Sequence, residues 1–447
     1  MQIELNSKRR LKPVQILAIG FALVILSGAV LLSLPISSNG GRLTPFVDCL
    51  FVATSAVCVT GLVTVDTYTN WNYFGRTVIM ILIQIGGLGF MSFATLIALF
   101  LKKRITLHER LVMQEAMNTF TLQGVVRLIK SVLIFTFVVE SCGAILLSTQ
   151  FVPVYGFLKG IYYGLFHSVS AFCNAGFDII GNFRSLTPYA ENSVIIITIA
   201  SLIVIGGLGF SVWKELFHYR KERKLSLHSK LVITTTAILI FGGAFLMFIF
   251  EMSNTKTIAN MPVGGKVLSS FFAAVTPRTA GFNSISTSGM TPAGRFLTII
   301  LMFIGGSPGS TAGGIKTTTF GVLIMTIIAA IKGREDTVVF KNKVGDDTIK
   351  KAAVVATLGI VLVLTVSMVL SITEVGASLE DILYEVTSAF GTVGLTLGLT
   401  PKLTVIGKLL ISFTMFCGRV GVITLGLAIA QKANNMIHYP EGKILIG

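Results

Sequence analysis

Eight stretches of about 20 or more predominantly apolar residues, at 14–34, 77–101, 131–150, 192–213, 231–250, 296–331, 352–373 and 409–431, dominate this 447-residue chain. A helix needs about 20 such residues to cross about 30 Å of hydrocarbon, and eight of them leave too little polar sequence for a string of soluble domains. Only 13% of the residues are Asp, Glu, Lys or Arg against 53% hydrophobic, where a soluble domain carries about 25% charge. The reading is an all-α membrane protein with eight transmembrane helices. An even number of crossings puts both termini on one side. Four further apolar segments, near 44–60, 160–176, 267–281 and 382–394, are too short and too rich in Gly, Ser and Thr to span, and they read as re-entrant loops. No small-residue cleavage site follows the first apolar run, so 14–34 is read as a retained helix.

The net charge of +16 could point to nucleic acid, but 24 of the 36 Lys and Arg fall in 1–13, 102–130, 214–230, 332–351 and the residues after 431. Basic loops mark the cytoplasmic side, so these segments and both termini are expected there and no nucleic-acid partner is expected. Segment 102–130 sets Leu107, Leu111, Val112 and Met113 among Arg104, Glu109, Arg110 and Glu115; it fits either the membrane surface or a cytosolic partner. The five Cys stand singly without CxxC pairing and the five His lack HExxH spacing, so a disulfide framework, a zinc site and a metal enzyme are not indicated.

Internal repetition organises the chain. Thr54-Ser55-Ala56-Val57-Cys58-Val59-Thr60-Gly61-Leu62 aligns with Val169-Ser170-Ala171-Phe172-Cys173-Asn174-Ala175-Gly176-Phe177 and with Thr387-Ser388-Ala389-Phe390-Gly391-Thr392-Val393-Gly394-Leu395. A divergent copy ends in Thr279-Ala280-Gly281-Phe282, and successive glycines lie 115, 105 and 113 residues apart. A second motif keeps step: Ile85-Gly86-Gly87-Leu88-Gly89-Phe90 recurs as Ile205-Gly206-Gly207-Leu208-Gly209-Phe210, with looser versions at Ile304-Gly305-Gly306-Ser307 and Cys417-Gly418-Arg419-Val420-Gly421. The expected fold is therefore four pseudo-symmetric M1–P–M2 repeats (helix, re-entrant pore loop, helix) around one pore, divided at 1–101, 102–217, 218–331 and 332–447.

Irregular backbone at membrane depth is tolerated where protein buries it or it lines a watery cavity. A ring of backbone carbonyls replaces the hydration shell of a monovalent cation, and glycine reaches the backbone angles that aim them. The expected selectivity filter is Val59-Thr60-Gly61, Asn174-Ala175-Gly176, Thr279-Ala280-Gly281 and Thr392-Val393-Gly394, with a monovalent cation held at these four glycine positions and no carboxylate ring for a divalent ion.

Two oddities mark gate candidates. The run 296–331 is too long for one span, and its middle reads Gly305-Gly306-Ser307-Pro308-Gly309-Ser310-Thr311-Ala312-Gly313-Gly314. Proline removes an amide and glycine costs about 1 kcal/mol in a helix, so this helix should break, either as a mobile loop below the filter or as a packed kink. Gly314-Ile315-Lys316-Thr317 spoils the Gly-Lys adjacency a phosphate loop needs. Arg419 lies in the uncharged run 409–431, where it either faces a cavity and repels cations or pairs with a carboxylate; Lys316 shares that logic more weakly. Glu140, Glu251 and Glu374 sit within or at the ends of first helices. Arg278 is expected to brace its own loop backbone, while Asp66, Asp178, Glu380 and Asp381 either draw cations to an outer mouth or are ordinary loop residues. An alternating-access carrier is disfavoured because the repeats are parallel rather than inverted, and no catalytic constellation supports a membrane enzyme.

On these four filter segments, the Gly-rich motifs and the interrupted third-repeat helix, nearly the whole chain resembles the Trk/Ktr/HKT superfamily of cation transporters, and within it the membrane subunits of bacterial Ktr systems. The resemblance implies K⁺ uptake at the bacterial cell membrane by a multi-pass homodimer with one pore per subunit. It implies K⁺ as the transported ion, Na⁺ as a candidate activator and no organic cofactor in this chain. Glycine at all four filter positions matches the K⁺-preferring pattern, since Ser in the first repeat goes with Na⁺ transport. A cytosolic nucleotide-binding regulatory ring (RCK-type, KtrA-like) is implied as partner, as are gating by the 305–314 loop with Arg419 and a dimer contact for residues 439–447.

Overall fold

The computed structural model describes residues 13–89, 95, 107–116 and 125–421. The basic start, most of 90–106 and the expected dimer segment 439–447 lie outside them.

Within these bounds one order of elements comes back four times: a long apolar helix, a short helix, a non-helical segment through the expected filter triplet, and a second helix. The long helices are Pro13–Ser33, Val125–Tyr155, Leu227–Glu251 and Asp346–Thr373. The short ones are Phe46–Val57, Phe157–Phe172, Val263–Val275 and Leu379–Gly391. Apolar side chains cover both sides of the long helices. In Pro13–Ser33, Leu17, Phe21, Ile25, Ala29 and Leu32 are buried in the core, while Leu23, Leu26 and Val30 are exposed. Ile238, Phe241 and Phe245 are likewise bare on the third long helix. A helix apolar on its exposed face fits hydrocarbon, not water.

The second helices bear on the spans read at 77–101, 192–213 and 409–431 only in part: 192–213 is bent, while most of 90–101 and all of 422–431 lie outside the described residues. They are Tyr73–Leu88, Ser193–Gly207, Pro292–Phe303 and Val405–Val420. Ser193–Gly207 gives way to Phe210–Glu222 through a bend of 97°. By length and composition, then, four described helices are able to cross a membrane, or five with the bent pair taken as one span. The Gly-rich motif marks where three of these helices stop. Its third glycine holds a positive φ in three repeats, +82° at Gly89, +93° at Gly209 and +94° at Gly421, which ends a right-handed helix at once. In the third repeat the helix breaks over 304–316 and resumes as Thr317–Ile331.

Each second helix is anchored at its N-cap to the end of its own long helix or to the residues just beyond it. Asn72 donates to the Ile36 carbonyl (2.6 Å), Asn192 to the Gln150 side chain (3.1 Å), and Thr291 and Thr404 donate their hydroxyls to Glu251 (2.8 Å) and Glu374 (2.6 Å). The same four side chains accept from the first-turn amides of their helices, so one residue caps the helix and ties the hairpin.

The repeats then close on one another. Tyr73–Leu88 packs on the second repeat's short helix, Ser193–Gly207 on the third's, Pro292–Phe303 on the fourth's, and Val405–Val420 returns to Phe46–Val57 of the first. Ion pairs reinforce two junctions, Arg295 with Glu380 (3.2 Å) and Lys408 with Asp48 (2.6 Å). Helix Leu107–Ala116 turns Val112 and Met113 into the common core, so these two apolar residues of the 102–130 segment serve internal packing.

Candidate functional site

The four short helices all end a few residues before a filter glycine. A helix C-terminus carries partial negative charge, so four of them aimed at one place favour a cation there. The triplets share one backbone signature. The first residue is left-handed, with φ of +52° at Val59, +58° at Asn174, +72° at Thr279 and +50° at Thr392; the third is a glycine at +95°, +68°, +82° and +93°. Thr60, Ala175, Ala280 and Val393 between them are not left-handed. Alternating the sign of φ turns successive carbonyls toward one side, and left-handed φ is uncommon enough in Val and Thr to mark a held conformation.

The four strands meet in chain order. A Cβ added to Gly61 would run into the carbonyl oxygen of Ala175, one on Gly176 into Ala280, one on Gly281 into Val393, and one on Gly394 into Thr60. Every glycine thus abuts the carbonyl just before the next glycine, and the fourth returns to the first. All four expected filter segments are brought together.

Sequence reasoning left the supports of this ring unassigned. The Ser55 hydroxyl accepts from the Gly61 amide (3.0 Å) and Ser388 from Gly394 (3.1 Å); Ser170 donates instead to the Phe177 carbonyl (2.7 Å), and Thr276 takes that role toward Phe282. A hydroxyl six residues before the glycine was the available signal in three copies. The first glycine of the second motif supplies closeness: Gly86, Gly206 and Gly418 press against the Val57, Phe172 and Phe390 carbonyls, where any Cβ would clash.

Next to the ring sits the broken segment. Its ends are pinned by the Ile304–Ile315 bridge, with the Gly305 amide on the Ile315 carbonyl (2.8 Å). Its middle docks on the second repeat's bend through Ser307 N to Gly207 O (3.0 Å), Thr311 N to Gly206 O (3.3 Å) and Phe210 N to Gly309 O (2.9 Å). Pro308 and Gly309 therefore lie against Gly209, Ala312 against Gly306, and Gly313 against the Thr392 side chain, while Ser310 donates to Ser307 O (2.7 Å). Gly314 turns the chain at φ +64°. Lys316 reaches back to the Ala312 carbonyl (2.6 Å).

Arg419 comes from the fourth repeat to meet this loop. Its guanidinium donates to the Thr311 carbonyl and to those of Gly86 and Gly87. Among the described residues no carboxylate pairs with it, which removes the ion-pair alternative there. In register it stands where the other repeats have Gly87, Gly207 and Gly306.

Other expectations are corrected by their contacts. Arg278 reaches the Thr236 hydroxyl (3.3 Å) of the neighbouring long helix rather than its own loop backbone. The four acids left open between an outer mouth and ordinary loop positions all make structural contacts: Asp66 caps Thr67–Asn70 and accepts from Phe183 N (2.8 Å), Asp178 accepts from Ile180 N (3.0 Å), Asp381 completes a capping box with Ser378, and Glu380 pairs with Arg295. Glu140 accepts from Gln84 (3.2 Å) in the middle of its helix.

The family profile of TrkH, described as a cation transport protein, matches residues 12–438. The chain belongs to this family of cation transport proteins. Among its relatives, a potassium/sodium uptake protein of Enterococcus hirae is 44% identical over 98% of both chains. The Ktr system potassium uptake protein B of Bacillus subtilis is 44% identical over 98% of this chain and 97% of its own length. The crystal structure of the potassium transporter TrkH from Vibrio parahaemolyticus superposes with a TM-score of 0.73 over 96% of this chain and 87% of that one, at 15% identity, which establishes a shared fold. Family and apolar helices together make this a multi-pass membrane protein whose kin transport cations and are not enzymes.

Proposed function

We propose that this chain is a potassium uptake subunit in which K⁺ permeates passively through the ring of four strands, driven by a negative cytoplasm. The observation that carries the reading is the cyclic contact of Gly61, Gly176, Gly281 and Gly394 with the carbonyls of Ala175, Ala280, Val393 and Thr60. A closed circle of peptide oxygens at short-helix C-termini takes over the hydration shell of a monovalent cation. The names of the two 44%-identical relatives support potassium as the ion.

In this reading the eight expected spans form four M1–P–M2 repeats, with Arg419 and the 305–314 loop as the gate beside the filter. The basic segments face the cytoplasm, where a nucleotide-binding ring of the RCK type controls the gate, and the subunit works as a homodimer in the bacterial cell membrane. Na⁺ as activator or second ion is the companion reading, favoured by the Enterococcus relative named for both ions.

Growth of a potassium-uptake-deficient bacterium at limiting K⁺ tests the function. The chain should restore growth together with a cytosolic regulatory subunit, and Gly61→Ser should lower K⁺ preference over Na⁺, because a Cβ at φ +95° pushes on the Ala175 carbonyl. A well-expressed chain that gives no growth and no K⁺ flux contradicts the proposal.

A further inference from the structure

Behind two of the four strands a polar side chain from the short helix holds the backbone that follows the glycine. The position lies nine residues before each glycine: Val52, His167, Phe272 and Glu385. All four are fully buried. Glu385 accepts from the Thr396 hydroxyl (2.7 Å) and from that of Thr400, both just beyond Gly394. No cation pairs with this carboxylate among the described residues. His167 bonds the Tyr163 carbonyl through Nδ1 (2.8 Å), which puts its proton on Nδ1 and leaves Nε2 to accept from the Ile179 amide at 3.5 Å, three residues beyond Gly176. Val52 and Phe272 carry no group that forms such a bond.

We propose that Glu385 and His167 are specificity-determining positioning residues, which fix the exits of the fourth and second filter segments from behind, a support that the apolar Val52 and Phe272 do not give the first and third. This rests on the filter reading above. Chain-order contact around the ring sets the second and fourth strands opposite one another, so the two polar braces face across the pathway. The fourth exit is fixed most firmly. Thr396 donates its hydroxyl to Glu385, its carbonyl accepts from Thr287 of the third repeat (2.7 Å), and its Oγ1 accepts from the Gly398 amide (3.0 Å). A buried carboxylate that accepts two hydroxyls is a stiff support, since releasing either donor strands buried polar atoms. Carbonyl rings discriminate between ions only while their spacing is held, so a loosened exit should admit the smaller Na⁺ more readily.

The test is K⁺/Na⁺ selectivity from reversal potentials in proteoliposomes, with monodispersity on size exclusion as the folding control. Glu385→Val, which installs the first repeat's residue, should lower the ratio several-fold, and Glu385→Gln, which keeps an acceptor of the same shape, should restore most of it. Thr396→Val removes one donor and should shift the ratio in the same direction; with His167→Phe, it carries the test if Glu385→Val does not fold. A wild-type chain with no K⁺ preference overturns the filter reading and this inference together. A K⁺-preferring wild type whose ratio is unchanged in every folded variant overturns the brace alone.

Discussion

The Arg419 guanidinium of the last repeat donates to the carbonyl of Thr311, in the broken segment of the third. The same group holds Gly86 and Gly87 of the first, so one cation joins three repeats. Its partners are three carbonyls and, among the described residues, no carboxylate; under the proposed function such a charge would oppose cation entry.

Replacing Arg419 with Gly, the residue at the matching place in the other three repeats, should raise K⁺ flux in proteoliposomes about tenfold, the change given by about 1.4 kcal/mol of barrier. Folding should survive, because Gly87, Gly207 and Gly306 already occupy that register. Unchanged flux from a folded Arg419→Gly protein removes the gating role.

Deleting 306–313 should also raise flux. The deletion joins Gly305 directly to Gly314, and loss of the loop removes the contacts of Ser307, Gly309 and Thr311 with the second repeat. Ion flux that stays at the wild-type level would reduce the loop to a packing element.

Gly206→Ala places a methyl against the Phe172 carbonyl, where the second helix meets the end of the short one. Overpacking of this kind costs about 1–3 kcal/mol. The expected result is a lowered melting temperature in detergent, and Gly264→Ala, with open space around its Cβ, should leave it unchanged.

Glu251→Ala leaves the Thr291 amide and the Thr291, Asn254 and Thr257 side chains without their shared acceptor. Each stranded polar group costs about 1–3 kcal/mol, so this variant should melt lower than Glu251→Gln, which keeps one oxygen. Equal melting curves for the two would show that the N-cap tie contributes little.

Much of the chemistry was legible along the chain. The recurrence of the segments that end in Gly61, Gly176, Gly281 and Gly394 located the four segments that meet, and the run Gly305–Gly314 located the helix break, because glycine and proline act on the backbone wherever they stand. Periodic apolar runs located the long helices, whose exposed faces need no partner beyond lipid. The second helix of the second repeat was read as one straight span, since a hydropathy pattern continues through Gly209 although the backbone reverses its φ there and the chain bends by 97°.

Sequence alone fixed which residues repeat, which are charged within apolar runs and where the backbone is free to leave a helix, all of them local properties of adjacent residues. Only the tertiary structure decided what those residues face. Gly61 touches Ala175, and Gly394 returns to Thr60; Arg419 finds carbonyls rather than a carboxylate among the described residues. Contacts between residues a hundred or more positions apart depend on how the four units close on one another, and no local pattern encodes that closure.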